Sequence, residues 1–66
     1  MDMVKINGES YDYVGLSVAE MLERNGFSTD RIAVEINEEI VPKANYSSTV
    51  LKDEDTVEVV SFVGGG

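Results

Sequence analysis

The sequence predicts an α+β fold: a mixed sheet of four to five strands with one main helix packed across it. Three observations lead there. Apolar and polar residues alternate near the start, around residues 32–36 and along residues 57–63, the mark of half-buried strands. A single segment, 18–24, carries apolar residues at helical spacing. A lone helix must bury its apolar face, and the sheet is the partner available to it.

The elements follow in order. In Met3-Val4-Lys5-Ile6-Asn7, Val4 and Ile6 share one face. Asn7-Gly8 tolerates the positive φ that a type I′ hairpin turn requires at both central positions. Glu9 to Tyr13 reads as the return strand, polar enough for a sheet edge. Ser17 and Glu20 have the spacing of a capping box, in which each side chain takes the other's backbone N–H. Leu16 and Met21 stand where a hydrophobic staple places its pair. Val18, Met21 and Leu22 form the apolar stripe of the helix. Asn25-Gly26 supplies a left-handed stop, with Phe27 closing the last turn.

Arg31 to Asn37 is the next strand region, with Ile32, Val34 and Ile36 on one face. Glu38-Glu39 is expected to turn. Ile40-Val41-Pro42 is a short edge piece, because proline cannot donate to a sheet ladder. Lys43 to Thr49 reads as a polar loop with Tyr46 as its anchor, and Val50-Leu51 as a short edge strand or turn. Lys52-Asp53-Glu54-Asp55 is a charged turn. Val57 to Val63 is the last strand, and Gly64-Gly65-Gly66 closes the sequence. The other pieces look like edges, so the first and last strands should lie side by side at the centre. This is the β-grasp, or ubiquitin-like, architecture. Residues 1–63 form its single domain and 64–66 a flexible glycine tail.

Composition excludes several function classes. Sixty-six residues without cysteine or histidine lack the usual zinc, haem and iron–sulfur ligands. They also lack the usual nucleophile–base pairs. Glu38-Glu39 and Asp53-Glu54-Asp55 read as solvated turns, and a chain this short has little room for a pocket that would separate two carboxylate pKa values. The chain is expected not to be an enzyme and to hold no cofactor or metal. With five Lys and Arg against thirteen Asp and Glu, the net charge is −8. Neither nucleic acid nor an anionic membrane is an expected partner; acidic faces instead steer toward basic protein surfaces. No apolar run approaches the roughly 20 residues of a membrane span. The N-terminus lacks the pattern of a signal peptide. A soluble cytoplasmic protein is the expectation.

The glycine tail is where chemistry could enter. Three glycines are costly to order and narrow enough to thread a channel. Such a tail is either a frayed end or an arm carrying a terminal carboxylate into another protein's active site. The last strand adds to the second reading. Val57, Val59 and Val63 make one row; Val60 and Phe62 make the other. If the first row faces the helix, Val60 and Phe62 lie on the open face just before the tail. A loop covers them, or they form a partner-docking patch.

These segments together resemble a family. Ile6-Asn7-Gly8-Glu9, the helix Ser17-Val18-Ala19-Glu20-Met21-Leu22, Ile32 to Asn37 with Ile40-Val41-Pro42, and Val63-Gly64-Gly65-Gly66 look like the sulfur carrier proteins of bacterial thiamin biosynthesis. The resemblance covers essentially the whole chain. It implies that an activating enzyme adenylates Gly66 with ATP and Mg²⁺, and that a persulfide donor converts it to a thiocarboxylate. Thiazole synthase then receives the sulfur. The family's Gly-Gly falls on Gly65 and Gly66; Gly64 adds only flexibility. On this reading Gly64 and Gly65 enter the partner's active site and Val60 and Phe62 meet its surface. Three alternatives share the fold: the small subunit of molybdopterin synthase, a non-covalent ubiquitin-like binding module, and a modifier joined to lysines.

Overall fold

Five strands, one helix and one short 3₁₀ turn build the described part of the computed structural model, residues 2–62. Met1, Val63 and the tail Gly64, Gly65 and Gly66 lie outside the described residues. The order is β1 (Val4–Ile6), β2 (Glu9–Tyr11), α1 (Val18–Arg24), β3 (Ile32–Ile36), β4 (Glu39–Val41), the 3₁₀ turn Lys43–Asn45 and β5 (Thr56–Ser61). The strands form one sheet in the order β2-β1-β5-β3-β4. β1 and β5 pair in parallel at the centre, and the other pairs are antiparallel. This is the mixed sheet with one helix that the sequence predicts.

The helix begins and ends as its residues dictate. The Glu20 N–H donates to Ser17 Oγ at 3.1 Å, and the Ser17 N–H donates to Glu20 Oε1 at 2.9 Å. Both halves of the capping box are therefore closed. At the other end the Gly26 N–H reaches the Glu23 carbonyl and the Phe27 N–H the Leu22 carbonyl. That is a Schellman motif, with Gly26 at φ +73°. Val18, Met21 and Leu22 are fully buried. They meet Val4, Ile6, Val34, Val57 and Val59 from the sheet, with Tyr46 and Leu51 completing the core. Burying a side chain of this size contributes roughly 1.5–3 kcal/mol.

Residues 43–51 differ from the expected loop. They turn through Lys43–Asn45 and then run along the start of the helix. The Val18 N–H donates to the Thr49 carbonyl at 2.8 Å and the Ala19 N–H to the Tyr46 carbonyl at 2.9 Å. These two donors have no partner within the helix, so the segment completes the cap that Ser17 begins. Tyr46 is the predicted anchor, 7% exposed. Val50 forms only an isolated bridge to Ser17, whereas Leu51 is buried between backbone bonds to Gly15 and Leu16.

Several strand boundaries also differ. β5 runs Thr56–Ser61 rather than Val57 to Val63, of which Val63 lies outside the described residues. β2 stops at Tyr11 rather than Tyr13. The Tyr13 ring stacks on Tyr11 at 5.0 Å, and its hydroxyl donates to Asn25 Oδ1 at 3.1 Å, which draws the chain toward the helix. The second hairpin turns at Asn37-Glu38, not at Glu38-Glu39; Glu39 is already in β4, opposite Ile36. Asn37 and Glu38 both have positive φ, 52° and 71°. This register sets Val41 against the fully buried Val34 instead of against Ile36.

Candidate functional site

β5 is the strand that leads toward the glycine tail. It is paired on both sides, with β1 and with β3, and is thus held more firmly than any edge. The ladder continues past Ser61, since the Phe62 N–H donates to the Arg31 carbonyl at 2.7 Å. Alternation along β5 sends Val57 and Val59 into the core, where they are 0% and 7% exposed. It sends Thr56, Glu58, Val60 and Phe62 to the other face of the sheet. Val60 and Phe62 are 49% and 54% exposed. No loop among the described residues covers them, so the open alternative is the one observed. Their exposure matches the expected placement; Gly64, Gly65 and Gly66, the other expected site residues, lie outside the described residues.

The pairing register shows which further residues share this open face, and none of these was singled out from the sequence. Ala33 lies opposite Val60, and Glu35 lies opposite both Glu58 on β5 and Ile40 on β4. Ile40 is 63% exposed. The alternation of Ile32 to Ile36 already places Ala33 and Glu35 away from the core. Only the strand order brings Ile40, Glu35 and Glu58 into one row. Ala33, Val60 and Phe62 follow beside them, toward the tail end of β5.

Several described side chains that could carry chemistry are engaged in holding the fold. Ser17 is committed to the helix cap. Asp55 accepts from the Asn37 amide and from the Lys52 backbone, and Asp53 accepts from the Met3 backbone. The turn at residues 52–55 therefore supplies structural acceptors. Among the described residues no group of carboxylates is arranged to hold a metal. A groove of about 550 Å³ runs between β4 and residues 49–52, larger than a chain of this length was expected to form. It is an open surface trough, and its Asp55 carboxylate is already engaged. Two described side chains, both outside the open face, have clearly displaced pKa values. Hydrogen bonds from Ser17 hold Glu20 below the usual glutamate range, and the hydrogen bond to Glu9 raises the Tyr11 phenol. No described helix is long and apolar enough to cross a membrane.

Known proteins share this arrangement. The model of the ThiS family matches residues 4–66. The sulfur carrier protein ThiS of Thermus thermophilus is 38% identical over 64 residues, covering 97% of this chain and 100% of that protein. A thiazole synthase of Paramagnetospirillum magneticum is 40% identical over 62 residues, which are 92% of this chain but 19% of that protein. The crystal structure of the thiamine biosynthesis protein ThiS from Geobacter metallireducens superposes with a TM-score of 0.79 at 29% identity. It covers 97% of this chain and 99% of that one. With a family match that runs from the first strand through the glycines, and a fold shared over 97% of the chain with a solved member, the chain belongs to the ThiS family.

Proposed function

We propose that this chain carries sulfur for thiamin biosynthesis on the carboxylate of Gly66. The observation that carries the reading is the placement of Val60 and Phe62. They form an exposed apolar face on a firmly held central strand, separated in sequence from the glycines by Val63 alone. An activating enzyme that docks on this face receives Gly64 and Gly65 in its channel and Gly66 at its nucleotide. ATP and Mg²⁺ belong to that enzyme.

A carboxylate is a poor electrophile, so activation comes first. A carboxylate oxygen of Gly66 attacks the α-phosphorus of ATP, and pyrophosphate leaves. The terminal sulfur of a persulfide then attacks the carbonyl carbon of the mixed anhydride, and AMP leaves. A second thiol attacks the resulting acyl disulfide. It forms a disulfide with the donor sulfur and releases the thiocarboxylate. That group gives its sulfur to thiazole synthase. The thiazole synthase relative supports this recipient, since it holds a segment similar to this chain within one polypeptide. In this scheme Gly66 is a substrate and carrier group, and the chain is not itself the enzyme.

Incubation with the activating enzyme, ATP, Mg²⁺ and a persulfide donor is expected to exchange one oxygen for sulfur, read by intact mass and located at Gly66 by fragmentation. Deleting Gly65 and Gly66 is expected to abolish the exchange and leave the unfolding midpoint unchanged. Absence of adenylate and of exchange with the authentic enzyme would sink the proposal. A lysine-linked adduct would replace it with a modifier role.

A further inference from the structure

On the open face, Glu35 and Glu58 lie directly opposite each other on adjacent strands. Like charges in this relation repel, and cross-strand pairs are worth roughly 0.2–1 kcal/mol in either direction. The one ion pair between described side chains joins Lys43 to Asp30, and neither glutamate has a described hydrogen-bond or ion-pair partner. The cation on the neighbouring strand, Lys5, lies opposite Thr56. A hollow of about 330 Å³ opens here, lined by Glu35, Asn37, Glu38, Thr56 and Glu58. Ile40 flanks the pair on one side, and Val60 follows Glu58 on the same face.

We propose that this pair is a selectivity element of the docking face, and that a Lys or Arg on the surface of thiazole synthase seats between Glu35 and Glu58. The proposal rests on the carrier reading above and deepens it. The occupant's chemistry follows from the face: apolar groups to cover Ile40, Val60 and Phe62, and a cation to bridge the two carboxylates. A second copy of this chain fits poorly, because it brings the same carboxylates and a net charge of −8. Thiazole synthase is the chosen partner because a relative of that name carries the two sequences on one chain. Held without a cation, the pair weakens the free carrier slightly; with one, it favours the correct partner and speeds encounter.

The test uses the full chain and thiazole synthase from the same organism, with Glu35→Gln, Glu58→Gln and Glu58→Lys. Each variant is expected to keep or raise the thermal midpoint, with Glu58→Lys highest because it pairs with Glu35. Affinity at low salt is expected to fall on the order of tenfold for the Gln variants and further for Glu58→Lys, and the difference should close as salt rises. Equal affinity of the variants and the unaltered chain overturns the proposal. So does a lowered midpoint in both Gln variants, since the pair would then be supporting the fold. Dimerisation of the unaltered chain that the Gln variants strengthen also overturns it, by giving the face a different occupant. If the unaltered chain does not bind thiazole synthase at all, the carrier reading of the partner fails as well. The two failures are therefore distinguishable.

Discussion

Two hairpins flank β5, one on each side, with the same backbone geometry and different residues. The first turns at Asn7-Gly8, with φ of 52° and 88°; the second turns at Asn37-Glu38, with φ of 52° and 71°. Each asparagine also ties its hairpin to β5. Asn7 Oδ1 accepts the Val59 N–H at 2.9 Å, and its Nδ2 donates to the Val59 carbonyl at 3.3 Å. Asn37 Oδ1 accepts the Thr56 N–H at 3.0 Å, and its Nδ2 donates to Asp55 Oδ1 at 3.0 Å. The first site is partly buried and the second exposed. The first turn is relaxed, because glycine takes positive φ freely. The second places a glutamate in that region, at a cost of about 1–2 kcal/mol. The difference teaches that a turn can be held from outside. Asn37 and the pairing of Val41 with Val34 keep the second hairpin in register against the preference of Glu38.

The two anchors can be compared directly. Asn7→Ala removes two bonds and leaves the partly buried Val59 N–H without its side-chain acceptor, so a loss of about 2 kcal/mol is expected. In a domain of this size that lowers the thermal midpoint by roughly 10 °C. Asn37→Ala exposes its partners to water and is expected to cost about 1 kcal/mol. Urea unfolding followed by circular dichroism measures both. A larger loss at Asn37 than at Asn7 would show that burial does not rank these anchors.

The turn residues are expected to respond in opposite directions. Gly8→Ala forces a Cβ into positive φ, and a loss of about 1 kcal/mol is expected. Glu38→Gly relieves the same strain while loosening the unfolded chain, for a net gain of about 0.5 kcal/mol. The same unfolding experiment applies. Destabilisation by Glu38→Gly would mean that the glutamate side chain contributes something beyond backbone geometry.

The smallest effect is at the helix cap, which provides a control remote from both turns. Glu20 binds its proton less readily when folded, because Ser17 donates backbone and side-chain hydrogen bonds to its carboxylate. Its contribution to stability is thus complete above the ordinary glutamate range and is lost as pH falls through the depressed folded value. The difference in unfolding midpoint between the unaltered chain and Glu20→Gln is expected to shrink on acidification through that window. A difference independent of pH would detach the cap from the Glu20 carboxylate. The hairpin variants should leave this pH dependence unchanged.

The candidate site was legible unevenly. Val60 and Phe62 could be placed from alternation alone, since Val57 and Val59 are the row that the helix must cover. Ile40, Glu35 and Glu58 could not, because their juxtaposition depends on which strands are neighbours and in what register. The shift of the second turn by one residue moved its pairing by two. It left Ile40 on the open face but set it opposite Glu35. The signal for that shift was weak: Asn37 favours positive φ, but Glu38 does not.

By itself the sequence determined the elements that depend on near neighbours along the chain. These are the capping box of Ser17 and Glu20, the glycine stop at Gly26, the Asn7-Gly8 turn and the inward rows of each strand. It also pointed to the central pairing of β1 with β5, because β2 and β4 carried edge signals; β3, expected among the edges, instead lies inside the sheet between β5 and β4. Only the tertiary structure decided what depends on residues far apart in sequence. Residues 46–49 supply the last acceptors for the helix N-terminus. Asn37 reaches Thr56 to hold a strained turn. Glu35 is brought against Glu58 with no described cation between them. Local preferences act over a few residues, whereas these arrangements follow from the shared burial of one small core, which sets strand order and register together.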